Sequence, residues 1–315
     1  MKKFTFAQTV PHILAVLLFL LVTLFFFSPI FFENKSLNQH DINEYLGTSK
    51  ALRDYRDATG KEGLWASSVF SGMPAYLISV DWSDGGVAWI KKVAGLFLPH
   101  PVSNIFWAML CFYILLIVTK VRPYLAVSGA VAFGLSSFMI IGLSAGHNGR
   151  IGAIAFMPLV IAGILLVFNN KKLLGAACTA LGMALHLREN HLQMTYYLAM
   201  ICGIYVLVEL IHAIQGKQIK AFFQAILISG FAFLLGAGTF FGQFWSVSEY
   251  SKYSIRGKSE LNSSAGDGGS GLTKAYAFEY SNGIFEPLTL FIPDILGGGT
   301  SKPLVADDQS KTYQA

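Results

Sequence analysis

Charge is the scarcest ingredient of this chain. Asp, Glu, Lys and Arg make up 13% of its 315 residues, about half the share found in a soluble domain. Such a surface cannot be dissolved in water, which excludes an ordinary soluble globular protein. Cysteine is also sparse. Cys111, Cys178 and Cys202 all lie in apolar runs, where they read as small buried hydrophobes and not as a disulfide framework or a metal site. No phosphate-cradling loop, dinucleotide glycine pattern or Ser-His-Asp set occurs. No internal repeat is evident, so an inverted-repeat transporter gains no support. The net charge is +5, but the cations are scattered, and a nucleic-acid partner is not expected.

What the chain has in abundance is apolar sequence, 54% of its residues. Seven runs stand out: Pro11–Phe32, Asn104–Val121, Tyr124–Ser144, Ile151–Phe168, Leu173–Leu187, Leu192–Ala213 and Ala221–Val247. Within lipid only a helix satisfies its own backbone, so all seven are expected to be helices. The fold class is therefore an all-α integral membrane protein, a polytopic helical bundle. The first run follows Lys2 and Lys3 but lacks a small-residue cleavage pattern, and reads as an uncleaved anchor.

Sidedness follows from the short loops. Lys2, Lys3, Lys120, Arg122, Lys171, Lys172, Lys217 and Lys220 share one face if the runs alternate. That face is the cytoplasm, which puts the N-terminus inside, in the inner membrane of a bacterium. Of the acidic residues only Glu209 then maps to the inner side. The outer face carries a long first loop (33–103), two tight turns near Arg150 and Arg188, and a tail from Ser248 to Ala315. Residues 1–247 form the transmembrane module. Residues 248–315 form an outer loop or the start of a further region, and the ending reads as that of a piece of a longer protein.

Within the first loop, 43–57 and 87–98 are amphipathic and read as helices lying in the membrane interface, with Trp82 and Trp89 beside the second. Trp65 and the turn Phe70–Pro74 lie between them. Ser259–Leu272 is rich in Ser and Gly and reads as flexible.

The outer turns hold the chemistry. His186-Leu187-Arg188-Glu189-Asn190-His191-Leu192-Gln193 packs ionisable and amide groups between two apolar runs, and such groups at the edge of hydrocarbon mark substrate or ion sites. Arg150 and Arg188 are the only cations of the short outer loops. Each suggests a fixed anion, and an ion pair with Glu189 or a lipid headgroup satisfies the pattern equally. Asp41, soon after the first span, is placed to act as a general base. Arg150, Arg188, His147 and His191 are candidate ligands for a phosphate. Asn148, Asn190 and Gln193 are candidates for sugar or acceptor hydroxyls, and Trp65 or Tyr45 for stacking on a sugar ring. One base with several cations suits transfer from a sugar phosphate, since phosphate leaves without an acid. The histidines at 186 and 191 are spaced wrongly for a zinc-protease helix. No metal site is assigned, though a divalent ion held by Asp41 and another carboxylate stays open.

Taken in order, Gln39-His40-Asp41, Leu64-Trp65, Phe70–Pro74, Gly146-His147-Asn148, Asn190–Tyr197, Glu286-Pro287 and Ile292-Pro293 resemble the YfhO family of bacterial membrane proteins. That family is similar to the GT-C superfamily of polytopic glycosyltransferases. The resemblance implies a GT-C-like bundle with interfacial helices in the first outer loop. It also implies a polyprenyl-phosphate-linked sugar donor, a cell-envelope acceptor, and Asp41 as base or metal ligand. The function expected is transfer of that sugar on the extracytoplasmic face. The alternatives are a transporter or flippase of a lipid-linked anion, and a non-catalytic assembly factor of the envelope.

Overall fold

Helices replace almost every apolar run. The computed structural model describes residues 6–80, 85–254 and, in the tail, 274–279, 281, 283–290, 292 and 295. The expectations for Lys2, Lys3, Trp82 and Ser259–Leu272 lie outside the described residues. The chain divides into two compact units, Met1–Val247 and Ser248–Ala315.

In the first unit α1 (Phe6–Phe26) is followed by a short α2 (Ser28–Phe32) with Pro29 in its first turn. The long first loop holds α3 (His40–Thr48), α4 (Lys50–Thr59) and α5 (Gly86–Ala94). A two-residue antiparallel ribbon, β1 (Trp65–Ala66) with β2 (Met73–Pro74), sits between α4 and α5. Then come α6 (Ser103–Val118), α7 (Pro123–Gly134), α8 (Ser137–Ala145) and α9 (Asn148–Phe168). They are followed by α10 (Lys172–Arg188), α11 (Leu192–Gln215), α12 (Ile219–Gly238) and α13 (Phe241–Ser251). In the second unit the described residues form α14 (Lys274–Phe278) and a 3-10 turn at Glu286–Leu290.

Five stretches have the length and composition to cross a membrane: α1, α7 with α8, α9, α11 and α12. The chain is thus a multi-pass, all-α membrane protein. The other two expected crossings, α6 and α10, are 16 and 17 residues long. At 1.5 Å per residue they reach about 25 Å, short of a hydrocarbon layer of about 30 Å. The seventh run also divides, because α12 stops at Gly238 and α13 begins at Phe241.

The interior helices are α6, α9 and α10. α9 packs along both α6 and α10, and α10 packs in turn on α12. Without water to drive association, helices in lipid approach through small residues. A Cβ on Gly163 of α9 would come within 2.5 Å of the Thr179 backbone nitrogen, and one on Gly175 of α10 within 2.6 Å of the Val167 nitrogen. A Cβ on Gly236 of α12 would lie 2.6 Å from the Ala180 carbonyl. Backbone therefore meets backbone across α9, α10 and α12. Buried His186 joins a third partner: Nδ1–H donates to the Ala153 carbonyl of α9, and Nε2 accepts from the Thr195 hydroxyl of α11, each at 2.9 Å. By contrast α11 buries only Met194, Leu198 and Ala213.

Candidate functional site

The site is built where α3 meets the starts of α9 and α11. Gln39, the residue before α3, is buried, and its side-chain amide pairs reciprocally with that of Asn148 at 2.8 and 3.1 Å. Gln39 also donates to the Leu143 carbonyl, and Asn104 of α6 donates to the Asn148 carbonyl at 3.1 Å. Asn148, expected at a sugar hydroxyl, thus spends its amide on fastening the first outer loop to the bundle. Gly146 completes the seat. It adopts φ +99°, and a Cβ there would lie 3.1 Å from the Asp41 Cβ and 3.3 Å from the Ile42 nitrogen. Both the left-handed backbone and the close approach require glycine.

On this seat Asp41 meets His147, with Oδ2 3.1 Å from Nε2. The other ring nitrogen, Nδ1, faces the Arg150 guanidinium. A guanidinium only donates, so Nδ1 is an acceptor and Nε2–H donates to Asp41. The contacts describe a neutral imidazole held between a carboxylate and a cation. Arg150 also lies over the Phe138 ring, 5.3 Å from its centroid. His191, the residue before α11, is close enough to feel both groups. Burial holds its imidazole below the ordinary 6.5, and the charge of Arg150 lowers it further. Arg150 Nε and His191 Nδ1 are shielded from solvent and hydrogen-bond to no other described residue. The Asp41 and His147 side chains are 49% and 40% exposed, so the pair is open to a ligand.

Positive charge from Arg150 and the helix starts of α9 and α11 suit an anion next to Asp41. A divalent cation fits these residues poorly, because the chain of contacts from Asp41 ends on a guanidinium. Among the described residues no group of three His, Cys, Asp or Glu side chains is arranged to hold a metal ion, and no step is derived through a metal.

The structure brings together Asp41, His147, Arg150 and His191 but places Arg188 elsewhere. Arg188 lines a cavity of about 540 Å³ under α5, shared with Trp89, Lys91, Lys92, His100 and Ser103. It also lines a smaller one of about 170 Å³ with Asn190, Phe240 and Gln243. Glu189 pairs with Lys91 of α5, with Oε1 2.6 Å from Nζ. Those side chains are 6% and 16% exposed. Lys91 lies 5.7 Å from the centre of the Phe156 ring. The carboxylate occupies space that glycine leaves on α9: a Cβ on Gly152 would be 2.1 Å from Glu189 Oε2, and one on Gly149 would be 2.7 Å from the Glu189 carbonyl. From the sequence, Lys91 and Lys92 read only as the polar side of an interfacial helix, and His100 was not singled out. The glycines three apart at the start of α9 were the available signal that a side chain must be received there.

The remaining candidates sit further out. The Tyr45 hydroxyl is 2.9 Å from Ser79 Oγ, and the Trp65 indole lies against Gly72, where a Cβ would be 2.8 Å from Nε1. Asn190 is exposed, with φ +53°. Gln193 donates to the Tyr197 hydroxyl at 2.9 Å, one turn along α11. Comparison of the chain with protein-family models, with curated proteins and with solved structures finds no match.

Proposed function

We propose that the protein is a membrane glycosyltransferase that moves a sugar from a polyprenyl-phosphate-linked donor to a cell-envelope acceptor. Its reading includes seven crossings, a cytoplasmic N-terminus and an outer active face in the bacterial cytoplasmic membrane. The resemblance to the YfhO family and its GT-C-like relatives supports the substrate class. The observation that carries the chemistry is the line Asp41–His147–Arg150 beside His191.

In this reading Asp41 is the general base. His147 occupies Oδ2 and orients the carboxylate, and Oδ1 makes no hydrogen bond among the described residues. The acceptor hydroxyl gives its proton to Oδ1 while its oxygen bonds to the anomeric carbon. The bond from that carbon to the phosphate oxygen breaks, and the phosphate leaves with the electron pair. Arg150 and the helix starts at His147 and His191 then face the new negative charge, where preorganised donors act most strongly. Attack from the side opposite the phosphate inverts the anomeric centre.

The test is Asp41→Asn in the purified protein, supplied with a labelled polyprenyl-phosphate sugar. Loss of a positioned general base lowers transfer by roughly 10²- to 10⁴-fold. Undiminished transfer removes Asp41 from the reaction. Movement of the lipid-linked sugar across reconstituted vesicles without any new glycosidic bond replaces this reading with a flippase.

A further inference from the structure

Glu209 takes no part in the proposed reaction and lies at the opposite end of the bundle. α9 runs from Asn148, in the seat of Asp41, for about 30 Å to Phe168, in the wall of a cavity that Glu209 also lines. This cavity of about 200 Å³ is bordered by Lys172 of α10, His212 of α11 and Ala221 and Phe222 of α12. His212 and Ala221 are exposed, so it opens to the surroundings. Glu209 sits inside α11, about 9 Å along the axis from the end at Gln215. A carboxylate at that depth is costly and calls for a partner. The one it has is neutral: the Tyr205 hydroxyl, a turn earlier on α11, donates to it. Among the described residues no Lys, Arg or His nitrogen forms an ion pair with Glu209. Phe168 packs edge-on against Tyr205 at 5.5 Å between centroids and lies 5.9 Å from Phe222. Aromatic rings and a carboxylate together suit an ammonium group. Lys172 gives one donor to the Gln224 side chain at 2.7 Å, and its ammonium keeps others for a second acceptor.

We infer that this cavity binds the head of a phospholipid bearing a primary ammonium, with the ammonium on Glu209 and the phosphodiester on Lys172. The two wall charges match a zwitterion, and the volume admits a headgroup without its tails. The acyl chains stay in the bilayer, where Ile211 and Ile214 of α11 and Phe223 and Leu227 of α12 present exposed hydrocarbon. A free amine shares the ammonium chemistry but makes no use of Lys172 or of these apolar faces. The site is separate from the Asp41 group and stands independently of the proposed reaction.

The experiment measures binding of short-chain phosphatidylethanolamine, short-chain phosphatidylglycerol and ethanolamine to the detergent-purified full chain. Phosphatidylethanolamine should bind more tightly than phosphatidylglycerol and more tightly than ethanolamine. Glu209→Gln keeps the shape and the acceptor for Tyr205 but removes the charge. It should weaken phosphatidylethanolamine about tenfold, the worth of one charge-assisted hydrogen bond, and erase the preference over phosphatidylglycerol. Lys172→Gln should weaken phosphatidylethanolamine about fivefold and leave ethanolamine unchanged. Ala221→Phe narrows the cavity from an exposed wall position and leaves Glu209 and Tyr205 in place. It should weaken phosphatidylethanolamine too, which tests the site even where the glutamine variant is unstable. Equal binding of the two lipids, or a preference that Glu209→Gln or Ala221→Phe leaves intact, overturns the inference. So does ethanolamine bound as tightly as the lipid, or lipid binding indifferent to Lys172→Gln, either of which makes the cavity a site for free amines. Asp41→Asn should bind phosphatidylethanolamine as the parent does, so failure of the lipid site and failure of the proposed reaction are read separately.

Discussion

Two acid–base pairs dock the first outer loop onto the bundle, and their surroundings differ. Lys91–Glu189 is enclosed, with side chains 16% and 6% exposed, while Asp41–His147 is 49% and 40% exposed. Glu189 fills a gap left by Gly149 and Gly152, and Lys91 leans on Phe156. Asp41 has one carboxylate oxygen on His147 and the other turned to no described residue. A sheltered ion pair acts as a fastener, because separating its members strands a charge away from water. An open pair can exchange its partner for a substrate. Ionic contact by itself therefore does not tell the two pairs apart; exposure does.

The sharpest way to break this contrast is Glu189→Ala. It leaves the Lys91 ammonium enclosed and alone, and should lower stability by about 3–5 kcal/mol, read as thermal unfolding in detergent. Changing both members, with Lys91→Met and Glu189→Leu, should recover much of that loss. An unchanged midpoint for Glu189→Ala would mean the pair fastens nothing. Gly152→Ala comes next. Its new methyl must displace the Glu189 carboxylate, an overpacking that costs about 1–3 kcal/mol, whereas Gly203→Ala, with open space around it, should be neutral or better.

A smaller effect is expected from pH. His191 is held below its ordinary 6.5, first by burial and then by the charge of Arg150. Above 6.5 the ring is neutral in both folded and unfolded chains and does not affect stability. As pH falls through 6.5 the unfolded chain takes up a proton that the folded one resists, so stability declines. The decline ends once pH drops below the folded value. His191→Gln should flatten this part of the unfolding midpoint against pH, and an identical slope in the variant would place the effect elsewhere. The smallest change in stability belongs to Asp41→Asn, under about 1 kcal/mol for so exposed a pair. A much larger loss would make Asp41 a fastener like Glu189 and weaken its case as a base.

Much of the helical layout was legible. Each apolar run contains a helix, because in lipid a run of that length has no other backbone solution. The breaks were less so. Ser28-Pro29 carries a helix-start signal, and α2 begins there. Gly134 and the serine N-cap Ser136 mark the break where α7 gives way to α8 more weakly, since glycine is common within membrane helices. Nor did composition separate hub from rim. α9 and α11 are both strongly apolar, yet α9 is mostly buried and α11 mostly exposed. Glycine is the better guide, since Gly152 and Gly163 make α9 approachable from both sides. At the site, Asp41, His147, Arg150 and His191 were recognisable as residue types near one membrane edge. The pairings Gln39–Asn148 and Lys91–Glu189 bridge 109 and 98 positions. They depend on the rotation of each helix about its axis, which the spacing of apolar residues does not encode when a helix is apolar all round.

The Gln39–Asn148 clasp has a further consequence. Two carboxamides carry no net charge, so neither brine nor acid has a handle on them. Conditions that dissolve every ion pair at the rim would still leave Asp41 parked over Gly146. This end of the loop is thereby insulated from the weather of the medium, and the chemistry above it is left to respond.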